Sequence, residues 1–387
     1  MAALSREAPP ARPMPLLRSA IDRFLSWRDG RIADPRFRAW AARFPLTRPK
    51  ARAEARALFD LCAGFVYSQV LLACVRLDLF EALARGPLPQ STLAARSRLS
   101  PEAMQRLVDA AASLRLLRRD GAGGVALGPL GAAMVGNAGL AAMVEHHALV
   151  YRDLADPLAL LRGEHGQAAL AGYWPYAADG PHAALGDADV APYTALMAAT
   201  QPLVSAEVLG AYDFSRHRTL LDVGGGDGSF LEAIGRANPR LSLMLFDLPP
   251  VAERGRQRLE AAGMGGRFRA FGGSFLEDNL PRGADIVSLV RVIHDHDEAR
   301  VARLLRAARE ALGPGGTLLI AEPLADTPGA EPIGAAYFGF YLLAMGRGRA
   351  RSVEEISRLL RDAGFARTRR APTRTPLLTG LIVAETA

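Results

Sequence analysis

Proton-exchanging side chains gather at Arg291-Val292-Ile293-His294-Asp295-His296-Asp297-Glu298. The group follows ADIVSLVRVI, an apolar run that reads as a buried strand, so it falls at the carboxyl edge where open α/β sheets carry their chemistry. Imidazole is the side chain that accepts a proton near neutral pH. His294 and His296 are therefore candidates for a general base, the alternative for His294 being a capping or surface role. A second group, Asp222-Val223-Gly224-Gly225-Gly226-Asp227-Gly228-Ser229-Phe230, follows the run TLLDV. Glycines in a strand-to-helix turn let the backbone approach a ligand that a side chain would hold off. The segment lacks Gly-Lys-Ser/Thr, so it is not a phosphate-gripping loop, and Ser229 breaks G-x-G-x-x-G, which weakens a nicotinamide reading. Asp247 ends the next apolar run, twenty-one residues beyond Gly226. A carboxylate there can accept hydrogen bonds from both hydroxyls of a ribose. The alternative is a mere tight turn with an edge aspartate.

The elements that must position these groups are strands alternating with helices. From Arg218 onward the runs TLLDV, LSLMLFD, RFRAF, ADIVSLVRVI and GTLLIAEP are separated by helical segments such as SFLEAIGRAN and DEARVARLLRAAREAL. This rhythm predicts an α/β fold with a doubly wound, mostly parallel sheet covered on both faces. FARTRRAP and LLTGLIVAE lie too close together for a crossover helix and are expected as an antiparallel edge pair. Upstream, ALFDLCAGFVYSQVLLACVRLDLFEAL predicts a helix buried between two copies of the chain. The segment after it predicts a helix from Ser91, a turn at Leu99 to Pro101, a helix from Glu102 and a hairpin around Gly121 to Gly124, the winged-helix layout. Its second helix offers Glu102, Gln105, Arg106, Asp109 and Arg115, a mixed surface, and no nucleic-acid partner is expected. Residues 140–215 read as helices and loops bearing His146, His147, Tyr151, Tyr173, Trp174, Tyr176 and Tyr193. The adjacent histidines point about 100° apart on a helix, so they read as packing or pocket wall and not as a shared metal site. The expected organisation is an arm over 1–50, a winged-helix-like dimerisation domain over 51–137, a helical pocket region over 138–215 and a catalytic domain over 216–387.

Half of the 387 residues are apolar, which excludes a disordered or fibrous chain. Two cysteines at no metal-ligand spacing exclude structural zinc, and no metal is expected. Residues 1–60 hold thirteen basic and six acidic residues, so the whole net charge of +7 lies there. That arm interleaves Phe24, Trp27, Phe37, Trp40 and Phe44 with arginines, a mixture suited to an anionic lipid surface or nucleic acid; alternatively the aromatics pack on the body. MAALSREAPPARP has no apolar signal-peptide core. A cytoplasmic protein, soluble or peripheral on a membrane, is expected.

DVGGGDGSF, FDLPPV, FGGSFLED, RVIHDHDE and GGTLLIAEPL, in this order, resemble the class I S-adenosylmethionine-dependent O-methyltransferases of the small-molecule type, which include plant phenolic and bacterial polyketide enzymes. The resemblance implies S-adenosyl-L-methionine as cofactor, held by Asp222, Gly224, Gly225, Gly226, Asp247, Leu248, Ser274, Phe275 and Arg291. Gly224 would lie against the methionine part and Asp247 against the ribose, with Ser274 where the family has an aspartate on the adenine. It implies His294 as base, Asp295 beside it and Glu322 orienting the imidazole. His296 stands where the family has tryptophan, and a second orienting glutamate of plant members falls at Ala350. The uncharged run PIGAAYFGFYLLAMG would wall the acceptor pocket with Tyr337, Phe338, Tyr341 and Met345, unless it is an ordinary buried helix.

WAARFPLTRPKARAEARALFDLCAGFVYSQVLLACVRLDLFEAL further resembles the hydroxycarotenoid O-methyltransferases of purple photosynthetic bacteria. That resemblance implies methylation of the tertiary C-1 hydroxyl of an acyclic carotenoid in spheroidene or spirilloxanthin biosynthesis. A homodimer is expected, with a peripheral membrane contact through the arm. The alternatives are a phenolic or polyketide acceptor, a winged-helix regulator that only senses the methyl donor, and a nicotinamide oxidoreductase.

Overall fold

All six residues of the strand Thr317–Glu322 are buried, as are all five of Ile286–Val290. A strand apolar along its length needs cover on both faces, which a sheet layered between helices provides. The computed structural model describes residues 15–164, 166, 168–174, 186–376 and 379–387. Tyr176, the start of the arm and the two leucines that open LLTGLIVAE lie outside the described residues. In chain order the strands are β1 (Leu117–Arg119), β2 (Val125–Leu127), β3 (Thr219–Val223), β4 (Ser242–Asp247), β5 (Phe268–Gly272), β6 (Ile286–Val290), β7 (Thr317–Glu322), β8 (Arg367–Ala371) and β9 (Gly380–Glu385).

Strands β3 to β9 form one sheet in the order β5-β4-β3-β6-β7-β9-β8, the doubly wound order with its reversal between β3 and β6. The first five are parallel, and β9 runs antiparallel to both β7 and β8. Of the expected antiparallel pair, β9 takes the inner place and β8 the edge. The apolar GLIVAE is buried at all but its last residue, whereas RTRRA leaves three of five residues exposed. Charged side chains suit an edge that must not pair further. Successive strand residues alternate faces: Leu221, Val287 and Leu318 pack with the helices Glu298–Ala311 and Val353–Asp362, while Leu220, Ile286 and Leu319 pack with Ser229–Ala237 and Asp187–Ala211.

Residues 1–71 and 72–387 form separate compact units. In the first, the arm is helical over Pro15–Ala33 and Pro35–Ala41, with Asp34 capping the second helix by accepting the Arg36 N–H at 2.8 Å. Phe24, Trp27, Trp40 and Phe44 are exposed. The helix Arg48–Arg76 exposes Leu58, Phe59, Leu61, Phe65 and Val66. Among the described residues it is the helix long and apolar enough to cross a membrane, with a mean hydropathy of 1.8 over its best window. In the second unit the helices Gln90–Ser97 and Pro101–Ser113 and the antiparallel ribbon β1–β2 make the winged-helix arrangement. Asp109 on its second helix pairs with Arg119 of β1 at 2.7 Å.

Candidate active site

The two groups that could do chemistry follow β3 and β6, the strands between which the winding reverses, and ligands of open α/β sheets bind in the crevice at that point. A cavity of about 960 Å³, its open mouth included, lies there. The structure brings Asp222, Gly224, Gly225, Gly226, Asp247, Leu248, Ser274, Phe275 and Arg291 together around it. The turn has no room for side chains: a Cβ on Gly225 would stand 2.4 Å from Leu245 Cδ1 and 2.6 Å from Asp222 Oδ2. Asp247 accepts the N–H groups of Gly226 at 2.8 Å and Leu248 at 2.7 Å. Burial pushes its carboxyl up to about 7 against the pull of those two donors. Asp222 accepts the Ser288 hydroxyl at 2.6 Å, and burial, with Asp247 adding its charge, pushes it likewise to about 7.

Around this cavity Asp222 Oδ2, Gln201 Nε2, Arg291 Nε and His296 Nδ1 are buried without a hydrogen-bond partner. Unmet buried polar atoms cost free energy unless a ligand satisfies them. Acceptors and donors of both charges, set around a glycine turn, fit an amino-acid head, a ribose and a heteroaromatic base. The residues therefore fit S-adenosylmethionine. Ser274 borders the cavity; its hydroxyl accepts the Leu276 N–H at 3.3 Å and its N–H donates to Asp278 at 2.9 Å. His296 packs edge-on to Phe275, centroids 5.1 Å apart, and against Trp174 at 5.9 Å. Burial, then the nearby Arg300 and His294, holds its pKa down to about 3, so it is a neutral wall residue.

After β6 the chain turns sharply: Arg291 adopts φ 57°, and its guanidinium leaves the catalytic loop to clamp the helix Asp187–Ala211. It donates to Thr200 Oγ1 at 2.6 Å, to the Met197 carbonyl at 2.8 Å and to Gln201 Oε1. His294 follows in a short 3-10 turn, its Nδ1 bonded to Glu322 Oε2 at the end of β7. The other oxygen of Glu322 accepts the N–H groups of Val292 and Ile293, both at 2.8 Å. Asp295 Oδ1 stands 3.1 Å from His294 Nε2, and its Oδ2 accepts the Tyr193 hydroxyl at 3.3 Å. Burial disfavours the charged imidazole, but the carboxylates of Asp295 and Glu322 outweigh it and raise His294 to about 9. Asp295 is raised to about 6, chiefly by burial and against the pull of His294. Asp295 and His296 border the cofactor cavity; His294 sits behind them, its ring 5.9 Å from that of Phe338.

Tyr337, Phe338, Tyr341 and Met345 lie on the helical segment Pro332–Tyr337 and Phe338–Met345, whose first part is a π-turn. They do not border the cofactor cavity. They pack instead with Val150, Leu160, Leu170, Trp174 and Tyr193, beyond His294. Sequence reasoning missed Arg351, buried, which donates to the carbonyls of Ile293 at 2.6 Å and His296 at 2.8 Å. It also missed Thr200 and Gln201, two of several polar residues in the helix Asp187–Ala211. Ala350, where plant members have an orienting glutamate, lies in a strap over residues 348–351 that packs on the loop after β6, and there the Arg349 N–H donates to the His294 carbonyl at 2.9 Å.

Comparison with known proteins agrees with this geometry. The model of the O-methyltransferase domain matches residues 151–366, and that of the O-methyltransferase dimerisation domain matches 59–137. The chain is 46% identical over 351 residues to the demethylspheroidene O-methyltransferase of Cereibacter sphaeroides, covering 90% of this chain and 92% of that protein. Its identity to the protein of the same name from Rhodobacter capsulatus is 43% over 350 residues, covering 89% and 85%. Among solved structures, the methyltransferase CalO1 of calicheamicin biosynthesis in its SAH-bound form superposes with a TM-score of 0.73 at 25% identity, covering 87% of this chain and 98% of that one. A catalytic domain matched over more than half the chain, a matched dimerisation domain and a cavity fitted to the methyl donor lead to one assignment: the chain belongs to the class I S-adenosylmethionine-dependent O-methyltransferases.

Proposed function

We propose that this enzyme methylates the tertiary C-1 hydroxyl of an acyclic hydroxycarotenoid, working as a homodimer. What carries the reading is the identity, across nine-tenths of the chain, to a protein named demethylspheroidene O-methyltransferase. The uncharged, aromatic helix beyond His294 supports it, since a polyene needs a hydrocarbon wall. Bound S-adenosylmethionine would supply a methyl group made electrophilic by its sulfonium, the C–S bond breaking to leave the neutral thioether S-adenosylhomocysteine. His294 is the general base. The acceptor oxygen takes the place at Nε2 that Asp295 faces in the resting site, and Glu322 keeps the imidazole aimed. A tertiary alcohol is a weak acid, so its proton leaves as the C–O bond forms, and His294 receives it. Incubation with labelled methyl donor tests the reading: label in the ether of a hydroxylated polyene supports it, and label only in members of a catechol panel replaces it with the phenolic reading.

The arm is read as a contact with an anionic membrane, where such an acceptor dissolves. Residues 15–47 lie outside both matched domains and carry the exposed Phe24, Trp27, Trp40 and Phe44 among arginines. The exposed Phe59, Leu61, Phe65 and Val66 fall within the dimerisation match and are assigned to the partner copy. Full-length protein should pellet with anionic vesicles and a form lacking residues 1–45 should not; equal pelleting discards the membrane role.

A further inference from the structure

Two consecutive histidines on the helix Ala138–Asp153 each meet a tyrosine one turn apart on the facing segment. His146 Nε2 lies 2.8 Å from the Tyr341 hydroxyl, and His147 Nε2 lies 2.8 Å from that of Tyr337. The tyrosine rings stack, centroids 5.7 Å apart. His146 is 7% exposed and Tyr341 8%. Burial, with His147 adding to it, holds His146 neutral near neutral pH, its pKa lowered to about 4. The pair thus forms a self-satisfied, uncharged hydrogen bond inside an apolar cluster. Leucine and phenylalanine would fill this space without the desolvation that four polar groups incur, and replacing both partners of a buried pair by apolar groups is often neutral or better for stability. Packing alone therefore gives no reason for the pairs.

The position of Tyr341 gives one. It and His294 pack against the same ring, that of Phe338, with centroids 6.3 Å and 5.9 Å from it respectively. Burial holds its hydroxyl well above the usual phenol range, with Tyr337, Asp295 and Tyr173 adding to the rise and Arg291 opposing it. It is thus a hydroxyl in the hydrocarbon wall within electrostatic range of the catalytic group. We infer that Tyr341, braced by His146, is a positioning residue that hydrogen-bonds the acceptor's hydroxyl oxygen and sets it beside Asp295 and His294. The inference rests on the reading that the acceptor is an alcohol on a hydrocarbon chain. A phenol bonded to a neutral imidazole keeps either a proton or a lone pair for that alcohol, which can accept or donate in turn. Without an acceptor the wall stays satisfied and dry. With one, the bond is made only by a molecule that carries the hydroxyl.

The test is binding, in the presence of S-adenosylhomocysteine, of an acyclic polyene with a tertiary terminal hydroxyl and of the same polyene without it. The wild type should bind the hydroxylated polyene about tenfold more tightly, the worth of one neutral hydrogen bond in a buried site. Tyr341→Phe should lose at least about threefold of that preference, keeping only the part that His294 and Asp295 supply, while its affinity for S-adenosylhomocysteine is unchanged, and His146→Gln, which keeps an acceptor and donor for the phenol, should fall between. If Tyr341→Phe keeps the full preference, Tyr341 does not hold the hydroxyl. If Tyr341→Phe does not fold, a His146→Gln variant with an undiminished preference overturns the inference equally. A wild type that binds neither polyene removes the hydroxycarotenoid reading itself, and this inference with it.

Discussion

Glu322 holds the His294 imidazole with one carboxylate oxygen and, with the other, the backbone N–H groups of the two residues that precede it. One side chain at the end of β7 therefore fixes both the loop after β6 and the ring it carries. Charge and geometry are set together, so a single substitution here should move both the rate and its pH dependence.

The activity should rise with pH. His294 is raised to about 9, so below that pH the base form grows about tenfold per unit, and kcat should follow it and level off above. Asp295, Glu322 and Arg291 are the charged groups that face it. In Glu322→Gln one of the two carboxylates that sustain the raised value is gone; the limb should move to lower pH while the plateau kcat falls by ~10² or more. A pH–rate profile of both proteins reads this, and an unmoved limb would show that another group titrates.

His294→Ala should retain the methyl donor site, because His294 does not border the cofactor cavity. Turnover should drop by ~10² to 10⁴ with the dissociation constant of S-adenosylhomocysteine within about twofold of wild type. Unchanged turnover removes His294 as the base.

Cofactor affinity should depend on pH through Asp247. Its carboxyl is raised to about 7, and we propose that its ionised form accepts the ribose hydroxyls, so binding should release a proton below pH 7. S-adenosylhomocysteine should bind more tightly as pH rises from 6 to 8, by up to about tenfold, and level off above about 8. For stability the sign is the reverse. A carboxyl raised from its unfolded range near 4 favours the folded chain fully below that range and loses its contribution as pH rises through about 7. Titration calorimetry in buffers of different ionisation enthalpy counts the proton; Asp247→Asn should abolish its release and weaken binding by about tenfold to a hundredfold.

Gly348 should be intolerant of any side chain although it carries no chemistry. It sits at φ +84°, and a Cβ there would stand 2.1 Å from the His294 carbonyl oxygen. Gly348→Ala must either strain the strap or push the catalytic loop, and a displacement of about 1 Å can cost ~10² in rate. A kcat loss of tenfold or more with intact S-adenosylhomocysteine binding is the expected result; wild-type kcat would show that the strap yields without moving His294.

Arg351→Met should cost about 2–4 kcal/mol of stability. The buried guanidinium serves the carbonyls of Ile293 and His296, which methionine would leave without donors in a site closed to water. Denaturant unfolding measures the loss, and a change below about 0.5 kcal/mol would mean that water or a neighbouring donor replaces it.

Local chemistry determined much of this protein from the sequence alone. Apolar runs alternating with amphipathic segments dictate the doubly wound sheet, and the glycine turn, Asp247 and His294 could be found because each stands at a strand end, where the fold puts ligands, whereas Glu322 came only through the family resemblance. The inner place of β9 is also readable, since GLIVAE can be buried and RTRRA cannot. Only the tertiary structure decided what meets these residues from far along the chain. Arg291 reads as a cofactor contact by its neighbours, yet its guanidinium spans to Thr200 and Gln201, ninety-one and ninety residues away. His146 and His147 read as wall residues until the fold sets them against Tyr341 and Tyr337, 195 and 190 residues on. Arg351 looks like one arginine among many. Periodicity and turn chemistry are short-range and show in the order of residues; the pairing of buried polar groups is a matter of which surfaces the packed sheet brings face to face, and nothing in the local sequence records it.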